Sequence, residues 1–249
     1  MGVPRPRAED ESPPAVTSFG GQIRAVTFDV GHTLIEPRES VGDVYAEAAA
    51  RHGCANLSRP ALEQRFQVAL RKAGSAVNTR DDWARIVDDT FAGLVAQPPS
   101  ETFFPELFER FSQPSAWRIY DDVWPALEDL ARRGVRLGVI SNWDNRLRAL
   151  LAALELAERF EVIMVSCEQG CAKPARAIFE SAARQFRLPP AGILHAGDNW
   201  EADVQGARAA GFHSVQIARG SPEGPDRAAT LGALAGLIES AHPISPDDA

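Results

Sequence analysis

Seven polar side chains stand after apolar runs of this chain, and their types suit the handling of phosphate and a hard cation. Asp29 follows IRAVTF, residues 23 to 28. Ser141 and Asn142 follow VRLGVI, residues 135 to 140. Lys173 lies in the loop EQGCAKPA after FEVIMV, residues 160 to 165. Asp198 comes after GILHA, residues 192 to 196, with Asn199 beside it and Asp203 further along GDNWEAD. Aspartates at adjacent strand ends, with strands about 4.8 Å apart, can share one cation, and Asp29 and Asp198 are the candidate pair. No Cys or His constellation accompanies them, so the donor set favours Mg2+ held by one or two carboxylates together with water and substrate phosphate. A lysine and a hydroxyl nearby would bind the remaining phosphate oxygens. That combination describes phosphoryl transfer, in which an aspartate acts as the nucleophile. Taken singly, each residue has a plainer reading: Asp after a strand caps a helix, and Ser-Asn makes a turn. Their recurrence at four successive strand ends carries the chemical reading.

Lysine usage singles out one of these positions. Of the 26 basic residues, only Lys72 and Lys173 are lysine and the rest are arginine. A position that keeps lysine calls for a compact point charge on a flexible stem instead of a planar fork. Lys72 belongs to a polar helical stretch and reads as surface.

The elements that must position these residues are legible as a pattern. HSVQIA, residues 213 to 218, adds a fifth apolar run to the four above. All five are continuous more than alternating, as expected of strands buried on both faces. Helical patterns fill the gaps between the later four runs: 123 to 133, 145 to 156, 175 to 186 and 201 to 210. A last one, AATLGALAGLIESA, follows the fifth run. Strand and helix in alternation predict a doubly wound parallel α/β sheet, whose ligand crevice lies beyond the carboxyl ends of the strands.

Residues 38 to 118 break the alternation, because the period there is helical. Val41, Val44, Tyr45 and Ala48 share one face, Leu62, Phe66 and Leu70 another, and Thr79 with Asp82 resembles a capping box ahead of Trp83, Ile86, Val87, Phe91 and Leu94. PELFERF supplies a short fourth helix. The expected organisation is a core from 21–37 and 119–241, a helical insertion at 38–118, and flexible tails at 1–20 and 242–249. The expected hinges are Glu36 to Glu39, with Pro37, and Gln113 to Ala116, with Pro114. Such an insertion can close over the crevice and meet the non-reacting part of a ligand. Trp83 and Phe91 read mainly as packing, whereas Trp143 and Trp200 directly follow polar motif residues and are expected at the entrance.

Bulk properties narrow the class. The chain has 249 residues, 45% apolar and 24% charged, which describes a globular protein with one sizeable core and a smaller second unit. A formal charge of −8 with a pI near 5.2 argues against general affinity for nucleic acid or anionic membrane. No run reaches membrane-span length, and the first twenty residues carry Pro and charge in place of a signal-peptide apolar segment, so the expected compartment is the cytoplasm. Cys54, Cys167 and Cys171 make an odd set of thiols expected to be free. The Cys167/Cys171 pair lacks the second pair that a closed zinc site needs.

FDVGHTL, VISN, AKP and GDNWEAD, in this order and at these separations, resemble the four motifs of the haloacid dehalogenase-like (HAD) hydrolases, and the resemblance covers about residues 22 to 240. It implies a Rossmann-like HAD core, with the helical insertion as a cap domain of the kind placed directly after the first motif. It implies that Asp29 is nucleophile and metal ligand. Ser141 and Asn142 would hold the phosphoryl group, with Lys173 neutralising phosphate and nucleophile. Asp198 would bind Mg2+, with Asp203 supporting that end and the Gly31 carbonyl as a further metal contact. Thr33 matches the motif's threonine and would fix the turn.

One position departs from the pattern. In phosphatases of this superfamily the residue two after the nucleophile is a second aspartate that protonates the leaving group and then activates water; here it is Gly31. Loss of a positioned acid or base is worth roughly 10² to 10⁴ in rate. The expected activity is therefore a slow or selective Mg2+-dependent phosphatase for a small phosphorylated metabolite. His32 is a candidate proton carrier, because an unperturbed imidazole titrates near 6.5. Two alternatives stand beside it: a binding or regulatory protein that has kept the fold and lost turnover, and a 2-haloacid dehalogenase, which needs no acid but has no use for GDNWEAD.

Overall fold

The computed structural model describes residues 23–74 and 77–238. The expected tails, and the end of the last predicted helix, lie outside the described residues.

Six parallel strands form one sheet in the order β5-β4-β1-β6-β7-β8. They are β1 (Ala25–Phe28), β4 (Arg136–Ser141), β5 (Val162–Val165), β6 (Ile193–Gly197), β7 (His213–Ile217) and β8 (Arg227–Ala228). The first five match the apolar runs of the sequence to within one or two residues. β8 is too short to leave a periodic signal.

Alternate strand residues feed two separate cores, as the period of a strand requires. Val26, Phe28, Leu137, Val139, Leu194 and Ala196 pack on one face with α5 (Val123–Arg132), α6 (Leu147–Ala153) and α10 (Leu234–Leu237). Ala25, Ile140, Val162, Met164 and Ile193 pack on the other with α8 (Arg176–Phe186) and α9 (Gly206–Ala209). A short helix, α7 (Ser166–Gln169), follows β5, and a π-helical turn, Trp200–Gln205, leads into α9 where the sequence pattern suggested one regular helix.

Between β1 and α5 lie α1 (Val41–Arg51), α2 (Arg59–Ala73), α3 (Arg80–Phe91) and α4 (Phe104–Arg110). Ser40 caps α1, and the Thr79/Asp82 capping box at the start of α3 is present in both directions. The faces read from the sequence close on each other: Val44, Tyr45, Leu62, Phe66, Ile86, Val87 and Phe91 join one buried cluster separate from the sheet's cores. Tyr45 and Phe66 meet edge to face at 5.7 Å.

Where the sequence suggested only loops at the two crossings, the chain forms a small antiparallel ribbon. β2 (Ile35–Pro37) pairs with β3 (Trp117–Ile119) through Ile35↔Ile119 and Pro37↔Trp117. Each strand is three residues of mixed polarity, so no alternation could announce it. Among the described residues no helix is long and apolar enough to cross a membrane.

Candidate active site

Register brings the motif residues together. Phe28 lies between Val139 of β4 and Ala196 of β6, so the ends of these three strands coincide. Asp29 takes the next step past β1, and its N–H donates to the Ala196 carbonyl at 2.9 Å. Ser141 ends β4 and Asp198 follows β6.

Asp29 is 9% exposed. Its Oδ1 accepts from the Ser141 hydroxyl at 2.9 Å and from Lys173 Nζ at 2.7 Å. Among the described residues Oδ2 accepts no hydrogen bond, so its lone pairs are the ones available to a phosphorus atom or a cation. Asn142 turns its amide away from that point: Nδ2 donates to the Lys173 carbonyl at 2.9 Å and Oδ1 accepts the Lys173 N–H at 2.8 Å. Asn142 therefore clamps the loop that delivers Lys173.

Lys173 is 1% exposed and bridges two carboxylates, with Nζ 2.6 Å from Asp203 Oδ1. Burial opposes its charge, but Asp203 and Asp29 outweigh burial and hold the ammonium above the usual lysine range. Asp203 Oδ2 accepts the Asn199 N–H at 2.9 Å, and Oδ1 also meets His195 Nε2 at 3.1 Å. Burial pushes Asp203 up, yet Lys173 and His195 together hold it well below the carboxylate range. Gly197 makes room for this arrangement, since a Cβ there would sit 2.2 Å from Asp203 Cγ.

Sequence reasoning missed His195 and Thr27. Both lie inside apolar runs, on the face opposite Phe28, and Thr27 Oγ1 is 2.9 Å from His195 Nδ1. Burial holds His195 below its usual range. A neutral ring that donates from Nε2 to Asp203 leaves Nδ1 to accept from the Thr27 hydroxyl. A histidine in a strand otherwise buried on both faces was the signal available.

Asp198 completes the group. Oxygens of Asp29, Asp198 and Asp203 all lie within 4.8 Å of one another. Burial, with the Asp29 and Asp203 carboxylates beside it, pushes the Asp198 carboxyl up to about 7. Three carboxylates against the one Lys173 ammonium leave an excess of negative charge, and Asp198 bears it. An all-oxygen donor set with that excess fits a hard divalent cation such as Mg2+. Asp29 and Asp198 have free lone pairs for it, whereas Asp203 is engaged with Lys173, His195 and Asn199.

The turn after Asp29 is held by its main chain. Leu34 and Ile35 N–H groups donate to the Val30 carbonyl at 2.8 and 3.0 Å, and His32 N–H donates to Ile35 O at 2.7 Å. The Thr33 hydroxyl, expected to fix this turn, is buried and among the described residues has no hydrogen-bond partner. His32 has a left-handed φ of 54° and an exposed side chain, with Glu36 among its charged neighbours.

A cavity of about 440 Å³ lies between α1–α4 and the sheet, with Gly31, His32, Asn142 and Trp143 at its core-side end. Trp143 covers Gly31, with Cζ3 3.4 Å from where a Cβ would be. Trp83 lines the cavity too, whereas Phe91 is fully buried among the helices. Trp200, expected at the entrance, is 42% exposed away from the cavity, with the Arg208 guanidinium 5.7 Å from its ring centroid. Arg146 was not singled out from sequence, and it too lines the cavity. The three cysteines are free thiols.

A family model described as haloacid dehalogenase-like hydrolase matches residues 23–211. Haloacid dehalogenase-like hydrolase domain-containing protein 3 of Homo sapiens is 36% identical over 207 residues, 79% of this chain and 82% of that protein. A phosphoserine phosphatase of Thermus thermophilus is 31% identical over 81% of this chain and 71% of its own length. A defluorinating L-2-haloacid dehalogenase of solved structure superposes with a TM-score of 0.71 at 20% identity, covering 91% of this chain and 99% of that one; it speaks to the fold alone.

Proposed function

The chain belongs to the haloacid dehalogenase-like hydrolase family, and from that premise we propose that it is a Mg2+-dependent phosphatase acting on a small phosphorylated metabolite through an aspartyl-phosphate at Asp29. The observation that carries this reading is the contact of Asp29 with both Ser141 and Lys173 beside an uncompensated Asp198. The 31% identical phosphoserine phosphatase supports it.

In this reading an Asp29 oxygen attacks phosphorus as the P–O bond to the leaving group breaks. Water then attacks the acyl phosphate, the carboxylate departs, and inorganic phosphate is released. Lys173 balances charge on the nucleophile and the phosphoryl oxygens. The Ser141 hydroxyl can turn from Asp29 to a phosphoryl oxygen, and Asn142 keeps the Lys173 loop in place. Asp29 and Asp198, with the Gly31 carbonyl, would hold Mg2+, which when bound supplies charge stabilisation to the phosphoryl group. Residues 38–118 serve as a cap over a core of 21–37 and 119–241, and His32 at the core-side end of the cavity is the candidate proton carrier in place of the missing acid.

The test is hydrolysis of 4-nitrophenyl phosphate with and without Mg2+, on wild type beside Asp29→Asn. Turnover that requires both the metal and Asp29 is the expected result. A second reading, a protein that keeps the fold for binding without turnover, rests on Gly31. It gains if wild type and Asp29→Asn are equally inactive.

A further inference from the structure

The cavity beside Gly31 is apolar and aromatic, with Tyr45, Phe66 and Trp83 on its cap side. Most of its charged groups are already paired. Arg146 is the one Arg or Lys on its lining, and Nε and Nη2 go to Asp144 at 2.9 and 2.7 Å while Nη1 goes to the Phe108 carbonyl at 2.8 Å. Glu36 and Glu39 pair with Arg118 and Arg110. Glu63 accepts from the Gly42 N–H at 2.8 Å and the Gln67 amide at 3.1 Å, and among the described residues no ion pair neutralises it. Among the described residues a carboxylate or second phosphate on a substrate would meet no free Arg or Lys here and one uncompensated acid. A ring would meet aromatic faces and edges.

Gly31 constrains the same end of the cavity chemically. Without a carboxylic acid at that position the departing oxygen receives no proton from it. A phenolate, the anion of a group that titrates near 10, leaves far more readily than an alkoxide.

These two independent features, the charge inventory of the wall and the missing acid, point one way: we propose that the substrates of this site are aryl phosphate monoesters whose leaving group carries no negative charge of its own. The inference rests on the phosphatase reading and specifies its substrate class. The Asp29 carboxylate forms an O–P bond as the aryl O–P bond breaks. The electron pair goes to the phenolate, a leaving group that departs without prior protonation and afterwards takes a proton from water or from His32. A second water attacks phosphorus, the carboxylate is regenerated, and the products are a phenol and inorganic phosphate.

The experiment compares kcat/KM of the intact chain, with Mg2+, for 1-naphthyl phosphate, acetyl phosphate and phosphoserine. It adds inhibition by 1-naphthylmethylphosphonate and by methylphosphonate. The naphthyl ester should exceed phosphoserine by about a hundredfold, and the naphthyl phosphonate should inhibit at least about tenfold more tightly than methylphosphonate. Gln67→Trp, which fills the cavity, should lower the naphthyl-to-acetyl phosphate ratio by about tenfold or more; the inhibitor comparison needs no variant to fold. Asp29-dependent hydrolysis of acetyl phosphate with naphthyl phosphate no better than phosphoserine overturns the aryl assignment and leaves the phosphatase standing. No Asp29-dependent turnover of any of the three overturns both.

Discussion

Lys173 Nζ lies 2.7 Å from Asp29 Oδ1, although 144 residues separate them in the chain. The same nitrogen lies 2.6 Å from Asp203 Oδ1. One buried ammonium thus balances two carboxylates, and among the described residues the third, Asp198, has no ion pair. The geometry makes Lys173 a group on which both stability and chemistry depend.

Replacing Lys173 by Met would bury Asp29 and Asp203 unpaired. Breaking a buried ion pair from one side costs about 3 to 5 kcal/mol. Chemical denaturation of Lys173→Met should show a loss of that size, with Asp203→Asn in the same chain recovering part of it. Lys173→Arg should not restore activity, because a planar fork cannot occupy a point 2.7 Å from one carboxylate and 2.6 Å from another in the same way. A fully active Lys173→Arg enzyme would refute the assignment.

Gly31→Asp should restore general acid and base function. The new Cβ would meet only Trp143 Cζ3, at an ordinary 3.4 Å. Hydrolysis of alkyl phosphates, whose leaving groups need a proton, should rise by roughly 10² to 10⁴, and that of nitrophenyl phosphate far less. Equal effects on both would show that something other than the acid is missing.

The Asp198 carboxyl, raised to about 7 by burial and by Asp29 and Asp203, sets a pH dependence for the metal-free protein. The folded state holds this proton more tightly than the unfolded chain, whose aspartates titrate near 3.9. Between those values the folded form is favoured by the proton, and stability falls as pH rises through the folded pKa. Thermal melts without metal should therefore drop between about pH 4 and 7 and level off above. Mg2+ must displace the proton, so its stabilisation should grow over the same interval. A melting temperature flat across that range, with and without Mg2+, would contradict this account.

Arg146 joins the loop after β4 to α4. Its guanidinium sits 3.6 Å from the Phe108 ring centroid and 2.7 Å from Asp144 Oδ2. Asp144 is 1% exposed, so Arg146→Ala leaves a buried, unpaired carboxylate and should cost about 3 to 5 kcal/mol. The double substitution Arg146→Met with Asp144→Asn should cost clearly less than the sum of the two single changes, which a double-mutant cycle measures. Simple additivity would show that the pair is not coupled.

Much of this architecture was legible in the amino-acid order. Continuous apolar runs located five of the six sheet strands, and helical spacing marked the faces of α1, α2 and α3. Thr79 and Asp82 announced the start of α3. Asp29, Ser141, Lys173 and Asp198 stood out because phosphate- and cation-handling types recur after four successive strands, where an open α/β sheet places its ligand crevice. All of these are local signals, set by a period of two or 3.6 residues or by a cap three residues away.

What the fold alone decided depends on separations that no local period encodes. Register between β1, β4 and β6 converts four distant motifs into one site. His195 and Thr27 looked like strand filler until the sheet placed them against Asp203. The β2–β3 ribbon joins residues some eighty positions apart. Trp143 and Trp200 follow motif residues in the same manner, yet one covers Gly31 and the other faces solvent. Which side chain finds which partner is settled by long-range packing, because a buried charge or hydrogen bond is stable only where the whole chain has already excluded water around it.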